Sequence, residues 1–235
     1  MSISVTVDVD GLAGLACRPG GPWDGRLTSR SEHEFVWRGL ERVLDVLAGH
    51  GARATFYVPG QTVAECPQVF AELVAAGHEI GHHGHAHLPT STLDAAAERD
   101  ELLRGLDALA AIGVTPRGYR SPGWELTPRT LALLPELGFA WDSSLMGDER
   151  PYRLGDLVEL PVHWRLDDVP YFTRFADPRD VVAIWTAEHE CAAGHLTYTI
   201  HPEVTGRGAW IALLQGLLDC ADAVTTHGEL CAAVP

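Results

Sequence analysis

The sequence lacks both a strong positive charge and any long hydrophobic run. Lysine and arginine together number 17 against 32 aspartates and glutamates, which gives a formal net charge of −15 at pH 7. Nucleic acids and anionic membrane surfaces both bind basic protein faces, so we expect neither as a main partner. No apolar stretch reaches the roughly 18 residues that a membrane-spanning helix needs. The acidity also disfavours a strongly anionic substrate, unless a bound metal supplies positive charge.

An export signal and a paired cysteine motif are also missing. The N-terminus has no basic region before an apolar segment, and Met1 runs directly into a predicted strand, so we expect no cleaved leader and a cytoplasmic location. The five cysteines are scattered and form no Cys-X-X-Cys pair, which favours reduced structural thiols over a disulfide framework. They are Cys17, Cys66, Cys191, Cys220 and Cys231.

A dense histidine cluster lies at residues 81–87, where the sequence reads Gly-His-His-Gly-His-Ala-His. Imidazole is the commonest protein metal ligand. His83 and His87 are four residues apart, so on a helical or tightly turned segment both rings face one side and can share an ion. The local pattern leaves open the pairs His82/His85 and His83/His85, and also a polar loop that binds no ion. A third ligand must come from elsewhere, since a catalytic divalent site usually takes about three protein ligands.

Strand and helix patterns alternate about seven times along the chain. Strands rich in β-branched residues, such as 3–9 and 54–58, are followed by amphipathic helical stretches, with glycine or proline between them. This order predicts a parallel sheet that is either closed into a (β/α) barrel or open and doubly wound. Because no linker, repeat or low-complexity tract is visible, we expect residues 1–235 to form a single α/β domain.

Helix-start signals give more local expectations. Ser31 and Glu34 have the spacing of a capping box, which predicts a helix start there after a long loop over residues 12–30. Proline is favoured at the first helical position, so Pro128 and Pro178 predict the starts of two later helices.

Polar residues of metal-ligand and acid–base types directly follow several predicted strands. Barrel enzymes carry their sites at the carboxyl ends of their strands, so this placement favours the barrel over the open sheet. The alternative is that these residues are polar only because loops are exposed to solvent. That explains any one of them better than it explains the whole set. The set is Asp8, Asp10, His83, His87, Arg120, Asp142 and His201.

The chain resembles the polysaccharide deacetylase family, metal-dependent carbohydrate esterases that hydrolyse N-acetyl groups. The resemblance covers roughly residues 5–228, and the shared order of its motifs makes it specific. The motifs are Thr-Val-Asp-Val-Asp-Gly at 6–11, Ala-Thr-Phe-Tyr-Val-Pro-Gly at 54–60, Gly-His-Glu-Ile-Gly-His-His-Gly-His-Ala-His at 77–87, Arg-Ser-Pro-Gly-Trp at 120–124, Trp-Asp at 141–142 and Thr-Ile-His-Pro at 199–202.

The resemblance implies a distorted (β/α)7–8 barrel and a metal centre. The Asp-His-His ligand triad of the family falls on Asp10, His83 and His87. Such a set with open positions favours Zn²⁺ and is also compatible with Fe, Co, Ni or Mn. A bound divalent ion can lower the pKa of its water from 15.7 to about 7, which makes hydroxide available at neutral pH.

The resemblance also implies the acid–base residues. The general base of the family matches Asp8, and the arginine that holds the base matches Arg120. The late histidine that acts as general acid matches His201, and the acid that usually tunes this histidine matches Asp142. Water activated by Asp8 would attack an amide or imide carbonyl, and His201 would protonate the departing nitrogen.

The sequence departs from the family pattern in one place. Most members have two adjacent aspartates, whereas Val9 separates Asp8 from Asp10. Residues two apart on a strand share a face, so both carboxylates would point into the barrel mouth. The spaced form resembles a branch with cyclic imide hydrolases and atypical peptidoglycan deacetylases. The expected activity is therefore hydrolysis of a non-peptide C–N bond, in either an N-acetylated sugar or a small cyclic imide or ureide.

Two other function classes fit parts of the sequence. The first is a non-catalytic carbohydrate- or metal-binding barrel, although all the matched catalytic positions are filled. The second is an amidohydrolase barrel that uses His85 and His87, but such barrels carry their His-X-His on the first strand and this cluster follows the third. A helical exterior with aliphatic stripes is compatible with a homo-oligomer. Four aromatic residues are candidates for a pocket wall, namely Trp124, Trp164, Tyr171 and Phe172.

Overall fold

The computed structural model describes residues 2–17, 27–192 and 194–234, and its centre is a curved, mostly parallel sheet. The predicted strand–helix alternation accounts for most of it, because each parallel pair needs a crossover connection. The strands are β1 (Ser2–Asp8), β2 (Thr55–Val58), β3 (Glu79–His82), β4 (Gly118–Tyr119), β5 (Trp141–Asp142), β6 (Tyr152–Leu154), β7 (Leu157–Glu159), β8 (Leu196–Ile200) and β9 (Ala223–Val224).

The strand order is β6-β7-β5-β4-β3-β2-β1-β8, and β9 also pairs with β1. Every described pairing is parallel except that between β6 and β7. The chain beyond β7 returns to the other end of the sheet, where Asp167 forms a parallel bridge with Thr199 of β8. The sheet therefore curls into the expected distorted barrel, and this bridge lies at its seam.

Helices surround the sheet and bury its apolar outer face. They are α1 (Leu27–Glu34), α2 (Val36–Gly49), α3 (Gly60–Glu65), α4 (Pro67–Ala75), α5 (Ala95–Ala110), α6 (Pro128–Glu136), α7 (Val169–Phe172), α8 (Pro178–Cys191), α9 (Pro202–Thr205), α10 (Ile211–Cys220) and α11 (His227–Ala232). A 3₁₀ segment at Gly11–Cys17 follows β1.

The side chains of β1 separate the apolar core from a polar barrel interior. Ile3, Val5 and Val7 are fully buried in the main hydrophobic cluster. Thr6 and Asp8 alternate with them and bond instead to an arginine inside the barrel. Alternation along the strand thus directs the Asp8 carboxylate into the barrel, whereas its neighbours Val7 and Val9 lie in the apolar core.

Several local expectations need correction. The capping box at Ser31 and Glu34 is wrong, because α1 begins earlier, at Leu27, and places Ser31 inside a helix. The start of the predicted loop is a 3₁₀ segment. Residues 18–26 of the same loop lie outside the described part of the chain. The β6–β7 hairpin was missed, although a two-residue Gly-Asp turn at 155–156 is a hairpin signal.

Other expectations hold. Pro128 and Pro178 stand at the first positions of α6 and α8. Cys66, Cys191, Cys220 and Cys231 are free thiols, and the side chain of Cys17 is outside the description. In the described ranges, no helix combines the length and apolar character needed to cross a membrane.

The close packing of α2 on α9 gives a stability prediction. A Cβ on Gly39 of α2 would lie 1.9 Å from the carbonyl oxygen of Pro202, whereas a Cβ on Gly49 of the same helix meets nothing within 4 Å. We expect G39A to destabilise the protein by about 1–3 kcal/mol or more through overpacking. G49A should be neutral or stabilise it by up to about 1 kcal/mol. Urea unfolding of both variants measures this, and equal stabilities would contradict the packing argument.

Candidate metal centre and acid–base residues

The histidine cluster turns sharply after β3. Gly84 and His87 both have left-handed backbone conformations, with φ of 73° and 56°. The left-handed conformation of His87 is unfavourable for a residue with a side chain, so the surrounding structure must hold it. Buried Glu101 of α5 accepts hydrogen bonds from the backbone N–H groups of His85 and Ala86. This anchor shapes the turn that brings two of the imidazoles toward the end of β1.

The turn resolves which histidines can share an ion with an acid. Both ring nitrogens of His82 are engaged, Nε2 with the carbonyl of Leu102 and Nδ1 with the N–H of Gly84. His85 points toward α5, where its Nε2 lies 2.9 Å from an amino nitrogen of Arg104. Hence the two remaining histidines, at 83 and 87, face the strand-end carboxylates.

Asp10, His83 and His87 converge on one point. Nε2 of His83 lies 3.5 Å from Oδ1 of Asp10, and Nε2 of His87 lies 3.4 Å from its Oδ2. Two donors at about 2.0–2.1 Å from a tetrahedral zinc ion would stand about 3.3 Å apart. Oδ1 of Asp10 is buried without a hydrogen-bond partner among the described residues. The three side chains therefore fit a divalent ion.

The electrostatics of the cluster suit metal ligation. Burial lowers the pKa of His83 to about 4 and that of His87 to about 4, which keeps both imidazoles neutral and able to ligate. Nδ1 of His83 lies 2.7 Å from the carbonyl oxygen of Arg120. A hydrogen bond from Nδ1–H to that carbonyl leaves Nε2 as the free ligand atom.

Asp8 and Arg120 form a buried ion pair beside the cluster. An amino nitrogen of Arg120 donates to Oδ1 of Asp8 at 2.7 Å and to the hydroxyl of Thr6 at 2.9 Å. Its other two nitrogens donate to Ser143, Nε to the carbonyl and the second amino nitrogen to the hydroxyl. Burial tends to raise the pKa of Asp8, but the charge and hydrogen bond of Arg120, together with smaller contributions from the neighbouring histidines, hold that pKa below its usual value. The second oxygen, Oδ2, lies 3.9 Å from Nε2 of His83 and faces the site.

His201 follows β8 and is held by Asp168 at the barrel seam. Its Nδ1 lies 2.8 Å from Oδ1 of Asp168, whose Oδ2 accepts from the His201 backbone N–H and from the hydroxyl of Thr205. Burial opposes a charged imidazole, but the neighbouring Asp168 carboxylate raises the pKa of His201 well above its usual value. The imidazolium can donate a proton from Nε2, since Nδ1 is occupied.

The expectation that Asp142 tunes His201 is wrong. Asp142 ends β5, which four strands separate from β8 in the strand order, and its carboxylate accepts hydrogen bonds from the hydroxyl and N–H of Ser144. Burial raises its pKa to about 6 and that of neighbouring Glu159 to about 10, so the two acids favour sharing one proton. Asp142 therefore supports the loop that receives Arg120.

Sequence reasoning missed Asp168, together with its neighbour Asp167, whose pKa burial raises to about 7. Neither follows a predicted strand, and both lie in an irregular segment rich in acids and aromatics. The only sequence signal was the paired aspartates themselves. Their position depends on the seam bridge at Thr199, which the chain order does not reveal.

A cavity of about 230 Å³ joins the two halves of the site, and both acid–base groups and the metal cluster border it. Trp124 and Trp164 stack with ring centroids 4.4 Å apart and form part of its wall. Phe172 also lines it, as predicted. Tyr171 does not line it, since its ring packs against the main core and its hydroxyl donates to the carbonyl of Arg165.

Comparison with known proteins places this geometry in a family. The family model for polysaccharide deacetylase matches residues 37–141. A candidate polysaccharide deacetylase from Mycobacterium smegmatis, known from its crystal structure, is 33% identical with a TM-score of 0.90, over 99% of this chain and 89% of that one. The chain belongs to the polysaccharide deacetylase family.

Two further similarities extend over most of the chain. A peptidoglycan deacetylase of Helicobacter pylori is 29% identical, over 87% of this chain and 84% of the relative. The crystal structure of the PuuE allantoinase superposes with a TM-score of 0.85 at 20% identity, over 98% and 89% of the two chains. At that identity the second comparison concerns the fold alone. Asp8, Asp10 and His201 lie outside the segment that the family model matches.

The convergence of three side chains yields a metal-binding prediction. H83A and H87A should each weaken zinc binding by more than the roughly 10–100-fold that loss of an outer hydrogen-bond partner costs. H85A should bind zinc with the affinity of the wild type, because the His85 ring contacts Arg104 and not the ligand cluster. Competition with a chromophoric chelator measures the affinities. A loss in H85A that matched the loss in H83A would restore the alternative ligand pair.

The partner of His201 yields a second prediction. D168N removes the adjacent negative charge, so the pKa of His201 should fall by about 1–3 pH units. D142N is the matched control and should leave it nearly unchanged, because Asp142 bonds to Ser144 instead. NMR titration of the His201 ring protons, with all proteins in the same metal form, tests both. A larger shift in D142N than in D168N would contradict the assignment.

Proposed function

We propose that this chain is a metal-dependent hydrolase of non-peptide C–N bonds that removes N-acetyl groups from a sugar substrate. The supporting observation is that Asp8 and His201 border the same cavity as the cluster of Asp10, His83 and His87. A base and an acid thus stand at a site that can hold a cation. Membership of the polysaccharide deacetylase family favours an N-acetylated sugar over other amides.

Asp8 acts as the general base in this proposal. Arg120 holds one of its oxygens, which keeps the group ionised and fixes its orientation, while the other oxygen faces the ligand cluster. Asp8 accepts the proton of the attacking water at that free oxygen. A divalent ion bound at the cluster would supply Lewis acidity, polarising the acyl oxygen and making the water more acidic.

His201 acts as the general acid. Its charged ring can donate from Nε2 to the departing nitrogen, because Asp168 occupies Nδ1 and fixes the ring orientation. Protonation prevents expulsion of an amide anion, which is a poor leaving group. Asp8 and His201 border the same cavity, so water can attack the carbonyl carbon beside Asp8 while the amine, protonated by His201, departs and the acyl group is released as the acid.

A small cyclic imide or ureide is the second candidate substrate. The spacing of Asp8 and Asp10, with an intervening apolar residue, is the feature that favours it, together with a cavity of only about 230 Å³ beside the Trp124–Trp164 stack. Measuring acetate release from N-acetylglucosamine oligomers, in parallel with ring opening of a cyclic imide panel, separates the two candidates. Turnover of the imides alone would reject the sugar assignment.

Metal removal tests the proposal against a non-catalytic barrel. Chelation should abolish turnover, and added divalent ion should restore it, because the ligand cluster borders the reacting cavity. Unchanged turnover after complete metal removal would reject the metal-dependent mechanism. A wild-type protein that binds metal and oligomers without turning over any substrate of the panel would favour the binding role.

Substitution of the base gives a separate prediction. D8N should lower kcat by about 10²–10⁴-fold, the usual contribution of a general base, while zinc content stays near that of the wild type. D100N is a matched control, because Asp100 lies on the exposed face of α5. Steady-state kinetics with parallel metal analysis measures the effect. Wild-type kcat in D8N would remove Asp8 from the mechanism.

A further inference from the structure

Glu203 is a buried acid that borders the active-site cavity and has no part in the reaction proposed above. It lies in α9, two residues after His201, and its side chain is 9% exposed. Oε2 is buried without a hydrogen-bond partner among the residues described. Oε1 lies 3.9 Å from Nδ1 of His33, which is beyond hydrogen-bonding distance. Glu203 therefore borders the cavity and carries one buried acceptor that no described residue satisfies.

The packing of α9 does not account for this acid. The backbone of α9 is held by the close approach of Gly39 to Pro202, and Thr205 of the same helix donates to Asp168. Neither contact involves the Glu203 carboxyl. Leaving a buried acceptor unpaired costs stability, so its presence indicates a group that pairs with it when the cavity is filled.

The charges around the cavity restrict what that group can be. Asp8, Asp10 and Asp167 border the same space as Glu203. The nearby cations already have partners, since buried Arg120 is bonded to Asp8 and the His201 imidazolium to Asp168. An anionic substituent beside Glu203 would meet several carboxylates, whereas an uncharged O–H donor would satisfy the free oxygen.

The position of Glu203 relative to His201 indicates where this donor lies on the substrate. His201 serves the departing nitrogen under the proposed function, on which this inference rests. In an N-acetylated 2-amino sugar, the carbons next to the nitrogen-bearing carbon carry oxygens. A side chain two residues after the general acid, on the same cavity wall, is placed to meet one of those oxygens as a hydroxyl.

We propose that Glu203 is a substrate-binding residue that accepts a hydrogen bond from a hydroxyl adjacent to the scissile N-acetyl group. It selects uncharged sugars with that hydroxyl free. It does not take part in bond cleavage, so acyl substrates without an O–H or N–H donor gain nothing from it.

Two substrates and three variants test this role. N-acetylglucosamine oligomers carry the hydroxyl, and 4-nitrophenyl acetate has no O–H or N–H donor. E203L should raise KM and the calorimetric Kd for the oligomers by about three- to tenfold, the scale of one hydrogen bond. Ester hydrolysis and zinc content should stay near wild type. In E203Q the amide oxygen can still accept a hydrogen bond, so its KM and Kd for the oligomers should be closer to those of the wild type than the values of E203L are.

E188L is the matched control, because Glu188 borders a separate cavity and should affect neither substrate. If E203L fails to fold, E203A takes its place. Unchanged oligomer Kd, equal losses with oligomer and ester, or a wild type that does not bind oligomers would each overturn the inference. A wild type that binds oligomers tighter than E203L yet releases no acetate would instead support Glu203 binding and reject the proposed function.

Discussion

The buried guanidinium of Arg120 is the interaction on which the rest of the site depends. A fully buried cation is costly unless it is paired and hydrogen-bonded, and here each guanidinium nitrogen has a partner, in Thr6 and Asp8 of β1 or in Ser143 after β5. The same residue offers its carbonyl to His83. Arg120 thus ties three parts of the sheet together, ionises the proposed base and fixes the tautomer of a proposed ligand.

Around that pair, neighbouring imidazoles have opposite charge states, although all of them are buried. Burial keeps His83 and His87 neutral, as ligands must be, whereas His201 is charged because Asp168 lies 2.8 Å from it. Three imidazoles at one cavity therefore suit two different proposed roles, and the partner of each ring decides which. The unfavourable left-handed backbone at His87 is the conformational cost of placing its ring beside Asp10.

Much of this arrangement follows from the sequence. Alternation along a strand predicted that Asp8 and Asp10 share a side, and they do, with Val9 in the core. The strand–helix order predicted the curled parallel sheet, because parallel strands need crossovers. Arg120 and His201 were found because strand ends meet at one edge. Asp142 was assigned wrongly, since its chain position gives no measure of its distance from β8 across the sheet.

The sequence by itself determined the strand-end residues, because periodicity is a local property of the chain. Only the tertiary structure decided which histidines face Asp10, because His82 and His85 find other partners in Leu102 and Arg104. It alone brought Asp168 to His201 and Glu203 to the cavity wall. Those contacts depend on how the seam closes and how α9 packs on α2, and long-range closure leaves no local pattern in a sequence.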